Sequence, residues 1–264
     1  MLIDAYGYEK SNMIILRDDN LPLAKLPTKT NIMSALAAII SITKNDDEAW
    51  IHYSGHGTQV KVAGNTCETI VPSDFTKAGF ILDKELFAAI APSKGRILMF
   101  FDSCTSGSVC NLQYSIQYQN GLYYQAKNSN QAIANPNVIM MSGCKDGQTS
   151  SDMYDAEDRD FEGAFTDALI NTLRANKHNI DIRNLYGQVC KFLAARKYSQ
   201  IPVLSFSVAN PVYQFARAPL GAVNTSMPNI IMQSSMTRTS KSLNLFPIIT
   251  PTTGLKNRMG NFIR

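Results

Sequence analysis

Three short apolar runs, each breaking off in small polar residues, constrain this chain more than any other feature. Ala49–Tyr53 reads AWIHY and stops in Ser-Gly-His-Gly; Arg96–Phe101 reads RILMFF and stops in Asp-Ser-Cys-Thr-Ser-Gly; Asn137–Met141 reads NVIMM and stops in Ser-Gly-Cys. Apolar runs of this length without polar alternation are strands buried on both faces, as in a parallel sheet covered by helices. Segments of helical period stand between them. They are Asn31–Thr43, opened by Thr28 or Thr30 as cap, Asp83–Ala91, stopped by Pro92, Gly163–Ala175 and Asn184–Ala195. Ser11–Leu16, Thr69–Val71 and Pro202–Val208 complete the expected strands. The alternation predicts an α/β protein, a three-layer αβα sandwich around a mostly parallel central sheet.

In open parallel sheets, sites form beyond the carboxyl ends of the strands. That rule puts His56, Cys104 and the Ser142–Asp152 loop along one edge. A thiolate nucleophile needs a neighbouring base, an exposed perch and donors for an oxyanion. Cys104 follows one strand and His56 another, and glycines 55, 57 and 107 give backbone room around them. The N–H groups of Gly57 and Cys104 are then the candidate oxyanion donors. A single cysteine is as often a buried structural thiol. A Cys and a His each ending an apolar strand in a Gly/Ser loop is far more specific.

Composition narrows the alternatives. A net charge of +4 without a dense Lys/Arg cluster is short of a nucleic-acid footprint. No apolar run reaches the ~20 residues of a membrane span, and the first residues lack the basic start and apolar core of a signal peptide. Five cysteines, at 67, 104, 110, 144 and 190, have neither disulfide-framework nor zinc spacing and read as free thiols in a reducing compartment. The expected location is cytoplasmic, with no nucleic-acid or membrane partner.

The blocks HYSGHG (52–57) and DSCTSGS (102–108) resemble the caspase-like cysteine peptidases, and the metacaspase branch in particular. PTKTNI (27–32), ETIVPSDF (68–75), GFILDKELF (79–87), MSGCKDGQTSSD (141–152), GAFTDALI (163–170) and QIPVLSFS (200–207) extend the resemblance in order across roughly residues 6–210. It implies a caspase-like fold, a peptidase domain over 1–215 and a Cys-His dyad of Cys104 as nucleophile and His56 as proton shuttle. Within the domain, 1–111 is large-subunit-like, 112–135 an exposed linker and 136–215 small-subunit-like. The resemblance also implies protein or peptide substrates with Arg or Lys before the cleaved bond. Asp102 and Ser54 match pocket positions, and a carboxylate facing a guanidinium is a charge-assisted contact. The competing reading of Asp102 is a carboxylate capping local N–H groups. Ser142 is a further substrate-binding candidate, and Asp146, Gln148 and Asp152 line the cleft or are plain turn residues. Lys127, the one basic residue of the linker, is the candidate for self-processing, and the chain is expected to act as a monomer.

Three departures from the family pattern stand out. The chain begins where relatives have already supplied an apolar first strand, so another segment fills that place or the chain is a truncated product. At positions matching the family's calcium site stand Cys67, Asp83, Lys84 and Asn111, which retain one carboxylate and add a cation. Calcium needs several carboxylate oxygens, so the expectation is no metal and no cofactor. Thr105 replaces a frequent histidine after the nucleophile, which predicts altered tuning without loss of activity. Residues 216–264, rich in Ser, Thr, Asn, Met and Pro, read as a mostly disordered tail. His52 reads as a packed core histidine, His178 as a solvated loop residue, and Cys110, Cys144 and Cys190 as structural thiols. Two rival functions remain: a catalytically weak or inactive relative that acts by binding partners, and an interaction protein working through its tail.

Overall fold

Strands and helices alternate through the computed structural model, which describes residues 1–19, 25–103, 110–119, 122–128, 132–143, 163–198, 200–218 and 229–233. In chain order they are α1 (Leu2–Tyr6), β1 (Met13–Arg17), α2 (Lys29–Ile42), β2 (Glu48–Ser54), β3 (Gly57–Val62), β4 (Asn65–Ile70), α3 (Phe75–Ala78), β5 (Ile81–Leu82), α4 (Asp83–Ile90), β6 (Arg96–Asp102), β7 (Tyr114–Gln119), β8 (Leu122–Lys127), β9 (Val138–Ser142), α5 (Ala164–Ala175), β10 (Ile180–Asp181), α6 (Ile182–Ala195), β11 (Val203–Phe206), β12 (Gln214–Phe215) and β13 (Asn229–Gln233). Thr28 caps α2, its hydroxyl accepting from Asn31 N, and Asp181 caps α6 through Arg183 N and Asn184 N.

Eight strands form one sheet in the order β1-β13-β2-β6-β9-β11-β7-β8. The first five are mutually parallel, and β11, β7 and β8 each run antiparallel to the neighbour before them. The uninterrupted apolar strands sort their residues by parity onto two faces. Ile97, Met99 and Phe101 of β6 join Ile51 and Tyr53 of β2 in a core under α2 and α4. Leu98 and Phe100 join Trp50, Phe165, Leu169, Leu185 and Val189 in a second core under α5 and α6. Two helical layers on one sheet are the αβα sandwich expected. A smaller antiparallel sheet, β3-β4-β5, stands beside it.

At the amino edge of the sheet Glu48 gathers the chain together. Its Oε1 accepts from Tyr8 Oη at 2.9 Å and Tyr213 Oη at 3.1 Å, and its Oε2 pairs with Arg96 Nη1 at 3.3 Å. A nearly buried carboxylate is tolerable because three donors meet it.

Three sequence expectations meet a different structure. Residues 112–135, expected as an exposed linker, contain the β7–β8 hairpin, which extends the sheet past β11; β8 is exposed along its length as expected, and the difference lies in the strand pairing and in β7. The segment is tied inward: Leu112, Ile116 and Ile133 are buried, and Tyr186 Oη accepts from Tyr118 N while donating to Pro202 O. Within the region read as a disordered tail, 229–233 form β13, paired in parallel with β1 on one side and β2 on the other; 219–228 and 234–264 lie outside the described residues. Five residues of Asn-Ile-Ile-Met-Gln show too little periodicity to declare a strand, and the gap between β1 and β2 supplies the pairing instead. His178, expected in solvent, is buried, its Nδ1 3.2 Å from Tyr6 Oη and its ring edge-on to that of Tyr6.

Candidate active site

The carboxyl ends of three adjacent parallel strands fall at one level. Ser54 of β2 pairs with Asp102 of β6, and Phe101 pairs with Ser142 of β9. Gly55 N donates to Asp102 O at 3.1 Å and Gly143 N to Phe101 O at 2.9 Å, so the ladder continues one step past the strands. Those steps hold the backbone from which His56 and the Cys104 segment depart. Cys104 itself lies outside the described residues, as does Asp146; Ser103, the last described residue before the cysteine, is buried.

His56 sits in a two-residue link between β2 and β3 and is half-buried. Its carbonyl is pinned from two sides, accepting from Tyr53 Oη at 2.8 Å and Val71 N at 3.0 Å. The second bond fixes the register of Gly57 opposite Ile70 as the non-bonded kind of antiparallel pair. The N–H of Gly57 is therefore turned away from β4. It is left outside the β3–β4 ladder.

Asp102 is 2% exposed, so its charge must be met inside the protein. Its Oδ2 accepts from Thr166 N at 2.8 Å and Thr166 Oγ1 at 2.6 Å. Thr166 lies in the first turn of α5, whose N-cap Gly163 offers no side chain. Asp102 thus supplies from β6 the missing cap and a negative charge at the positive end of the helix. Its Oδ1 faces Gly143, where an added Cβ would stand 3.6 Å from that oxygen and 2.9 Å from Phe165 Cβ. Glycine at 143 allows the helix to close onto the strand end.

His52 extends this network. Its Nε2 is 3.1 Å from Thr166 Oγ1. The threonine hydroxyl gives its proton to Asp102, so His52 acts as donor and carries its proton on Nε2. Burial pushes its pKa down to about 4. The unfolded chain, with an ordinary imidazole near 6.5, then binds more protons between pH 6.5 and 4. His52 contributes its full stability above pH 6.5 and loses it progressively toward pH 4. Urea midpoints of wild type should fall more steeply from pH 7 to 5 than those of His52→Gln, which keeps a donor but does not titrate; parallel slopes would refute this.

Other expected site residues fall elsewhere. Ser142 is fully buried and its hydroxyl points to Val203 O at 3.5 Å, which corrects its reading as a substrate contact: it closes the sheet between β9 and β11. Lys127 is exposed at the end of β8. Reading the register across β9, β11 and β7 sets it level with Leu98, at the opposite edge from Asp102, and four strand spacings of about 4.8 Å to the side. Sequence reasoning missed Thr166, whose only signal is a hydroxyl in the first turn of a helix that opens on glycine.

The thiols at 110 and 190 are unsuited to attack. Cys110 is pushed well up by burial and by the carboxylates of Asp83 and Glu68, and Cys190 is pushed up to about 12 by burial. Of the four calcium-matching positions, Asp83 and Asn111 meet in the structure. Asp83 Oδ1 accepts from Lys84 N at 2.6 Å and Oδ2 from Asn111 Nδ2 at 2.9 Å. The Asn111 amide thus presents hydrogen to that carboxylate.

Comparison with known proteins places these features. The caspase domain matches residues 1–213. "Metacaspase-3" of Trypanosoma brucei brucei is 32% identical over 216 residues, covering 75% of this chain and 60% of that protein. "Metacaspase-1" of Mycosarcoma maydis is 29% identical, covering 76% and 62%, and "Metacaspase-1" of Ajellomyces capsulatus is 31% identical, covering 76% and 70%. The chain spans 60% of the length of the first of these relatives. Among the described residues no helix is long and apolar enough to cross a membrane.

Proposed function

This chain belongs to the caspase-domain family and, within it, to the metacaspases, and from that membership we propose that it is a cysteine endopeptidase cleaving after Arg or Lys. The Cys104 thiolate attacks the scissile carbonyl, and the N–H groups of Gly57 and Cys104 hold the oxyanion. His56 protonates the departing amine, and water then hydrolyses the acyl-thioester. The observation that carries this reading is the Ser54–Asp102 pairing, which brings the strand leading to His56 beside the strand leading to Cys104. In this reading the buried charge of Asp102, with Ser54 on the same face of the sheet, attracts the basic side chain, and Asp146 adds a second carboxylate. Ser142 contributes by holding the strand end.

Calcium is not required in this reading. The composition of the matching positions supports it: Asp83 is their one carboxylate, hydrogen-bonded to Lys84 N and Asn111 Nδ2, and calcium takes several carboxylate oxygens. In this reading the protein is cytoplasmic and acts as a monomer on protein substrates; the free thiols Cys67, Cys110 and Cys190 suit a reducing compartment. The test is hydrolysis of fluorogenic peptides bearing Arg, Lys, Asp or Leu before the bond, in EDTA and in millimolar calcium. Turnover of the Arg and Lys peptides alone, equal in both buffers, is expected. Strict calcium dependence would sink the metal reading. No turnover by a folded chain would leave the partner-binding alternative.

Self-processing after Lys127 belongs to the same proposal. The bond to be cut, Lys127–Asn128, lies in an ordered hairpin, with Asn128 N bonded to Gln113 O and Asn128 Oδ1 accepting from Ser115 Oγ. Cleavage there requires local opening of the hairpin end and, given the register, a second molecule. Fragments of about 14 and 15 kDa, from the mean residue mass, should appear at a rate that rises with protein concentration and vanish in Lys127→Ala. Unchanged cleavage in that variant would reject the site.

A further inference from the structure

A carboxylate as buried as that of Asp102, 2% exposed, does not reach out to a cation; its charge acts from where the fold holds it. Three elements do the holding. His52 and Ser54 of β2 and Asp102 of β6 share the sheet face that carries α5 and α6, since His52 pairs with Phe100 and Ser54 with Asp102. Over that face stands Thr166, half-buried, in the first turn of α5. Its neighbour Phe165 is wholly buried, and an added Cβ at Gly143 would crowd it, so the turn has a fixed place against the strand ends. Thr166 N and Thr166 Oγ1 both donate to Asp102 Oδ2, at 2.8 and 2.6 Å, and His52 Nε2 donates to Oγ1 at 3.1 Å. A hydroxyl has one proton to give. By occupying a lone pair of Oγ1, His52 turns that proton toward Asp102. The relay from His52 through Thr166 to Asp102 therefore ties the strand that leads to His56 to the strand that leads to Cys104.

We propose that Thr166 is a positioning residue for specificity: its hydroxyl fixes the Asp102 carboxylate at the strand end, from where the negative charge selects a basic side chain before the cleaved bond. The proposal rests on the Arg/Lys peptidase reading above. A carboxylate held by one donor still rotates about that bond. The backbone N–H of Thr166 is one such donor, and the hydroxyl adds a second, charge-assisted bond from another direction that removes the freedom. Valine in place of Thr166 keeps the shape but leaves the carboxylate without this bond and the His52 N–H without its acceptor. Serine keeps the hydroxyl and loses only a methyl group. Attraction between the carboxylate and a substrate cation is made in the ground state and the transition state alike, so its loss falls on KM and leaves kcat in place.

The experiment measures kcat and KM of the full chain on matched peptides bearing Arg or citrulline, its uncharged isostere, before the bond. In Thr166→Val, KM for the Arg peptide should rise about tenfold with kcat within about twofold, and the preference for Arg over citrulline should shrink by the same factor. Thr166→Ser should stay within about threefold of wild type on every parameter. His52→Leu should shift KM in the same direction, and the double variant Thr166→Val/His52→Leu should be no worse than Thr166→Val, because His52 acts through the hydroxyl. An unchanged KM in Thr166→Val beside a large rise in Asp102→Asn would overturn the role of Thr166 and leave Asp102 as the selector. A fall in kcat that serine does not rescue, or an equal loss on the Arg and citrulline peptides with a lower melting temperature, would reduce Thr166 to a support of the fold and overturn the proposal too. A folded wild type that cuts both peptides equally, or neither, would remove the Arg/Lys reading itself.

Discussion

Replacing Cys104 by alanine should lower hydrolysis of an Arg peptide by about a thousandfold or more, with the thermal midpoint unchanged within a degree or two. No acyl-thioester can form without the sulfur, so the loss falls on kcat rather than KM. His56→Ala should match it closely, because the dyad works as a unit, and the double variant should be no worse than either alone. The ladder supports this coupling: Gly55 N on Asp102 O ties the histidine link to the strand that carries the cysteine. The thiols at 110 and 190 cannot substitute, being buried and held protonated. Retention of more than a tenth of wild-type turnover in Cys104→Ala would reject this nucleophile.

The second large effect concerns the fold. A chain stopped after residue 228 lacks β13, and one stopped after Gln233 retains it. In the shorter chain the facing edges of β1 and β2 lose a strand paired over five residues on each side. At about 1 kcal/mol for each ladder bond, the combined loss approaches the whole stability of an ordinary domain. The shorter chain should lose its near-ultraviolet circular dichroism and its cooperative melt, and the longer should keep both. A synthetic peptide of residues 225–236 added in excess should restore the signal by strand addition. Equal melting of the two truncated chains would show that β13 is dispensable.

Some of this architecture was legible in the residues. The runs at 49–53, 96–101 and 137–141 are apolar at both parities, and each became a strand buried on both faces. The helices over 31–43, 83–91, 163–175 and 184–195 appeared within two residues of their expected bounds, since capping and period-3.6 patterns are local signals. The β7–β8 hairpin carries a local signal, Asn-Gly at 120–121 between YSIQYQ and LYYQAK. Its Gln and Asn content hid a strand pattern that needs only one covered face. β3 was hidden in the same way, its Gly-Thr start resembling loop.

Local sequence determined the strands, the helices and the order of Ser-Gly-His-Gly and Asp-Ser-Cys at strand ends, because periodicity, caps and small-residue breaks act over a few neighbouring residues. Tertiary structure alone decided the rest. Asp102 meets Thr166, 64 residues away, and the charge it buries becomes the cap of a helix that has none of its own. Glu48 meets Tyr213, 165 residues away, and His178 meets Tyr6, 172 residues away. β13 is a strand because β1 and β2 leave a gap whose unpaired backbone groups it satisfies. Such partners are chosen by the cost of leaving polar groups unmet in a packed interior, and that cost exists only once the sheet has formed.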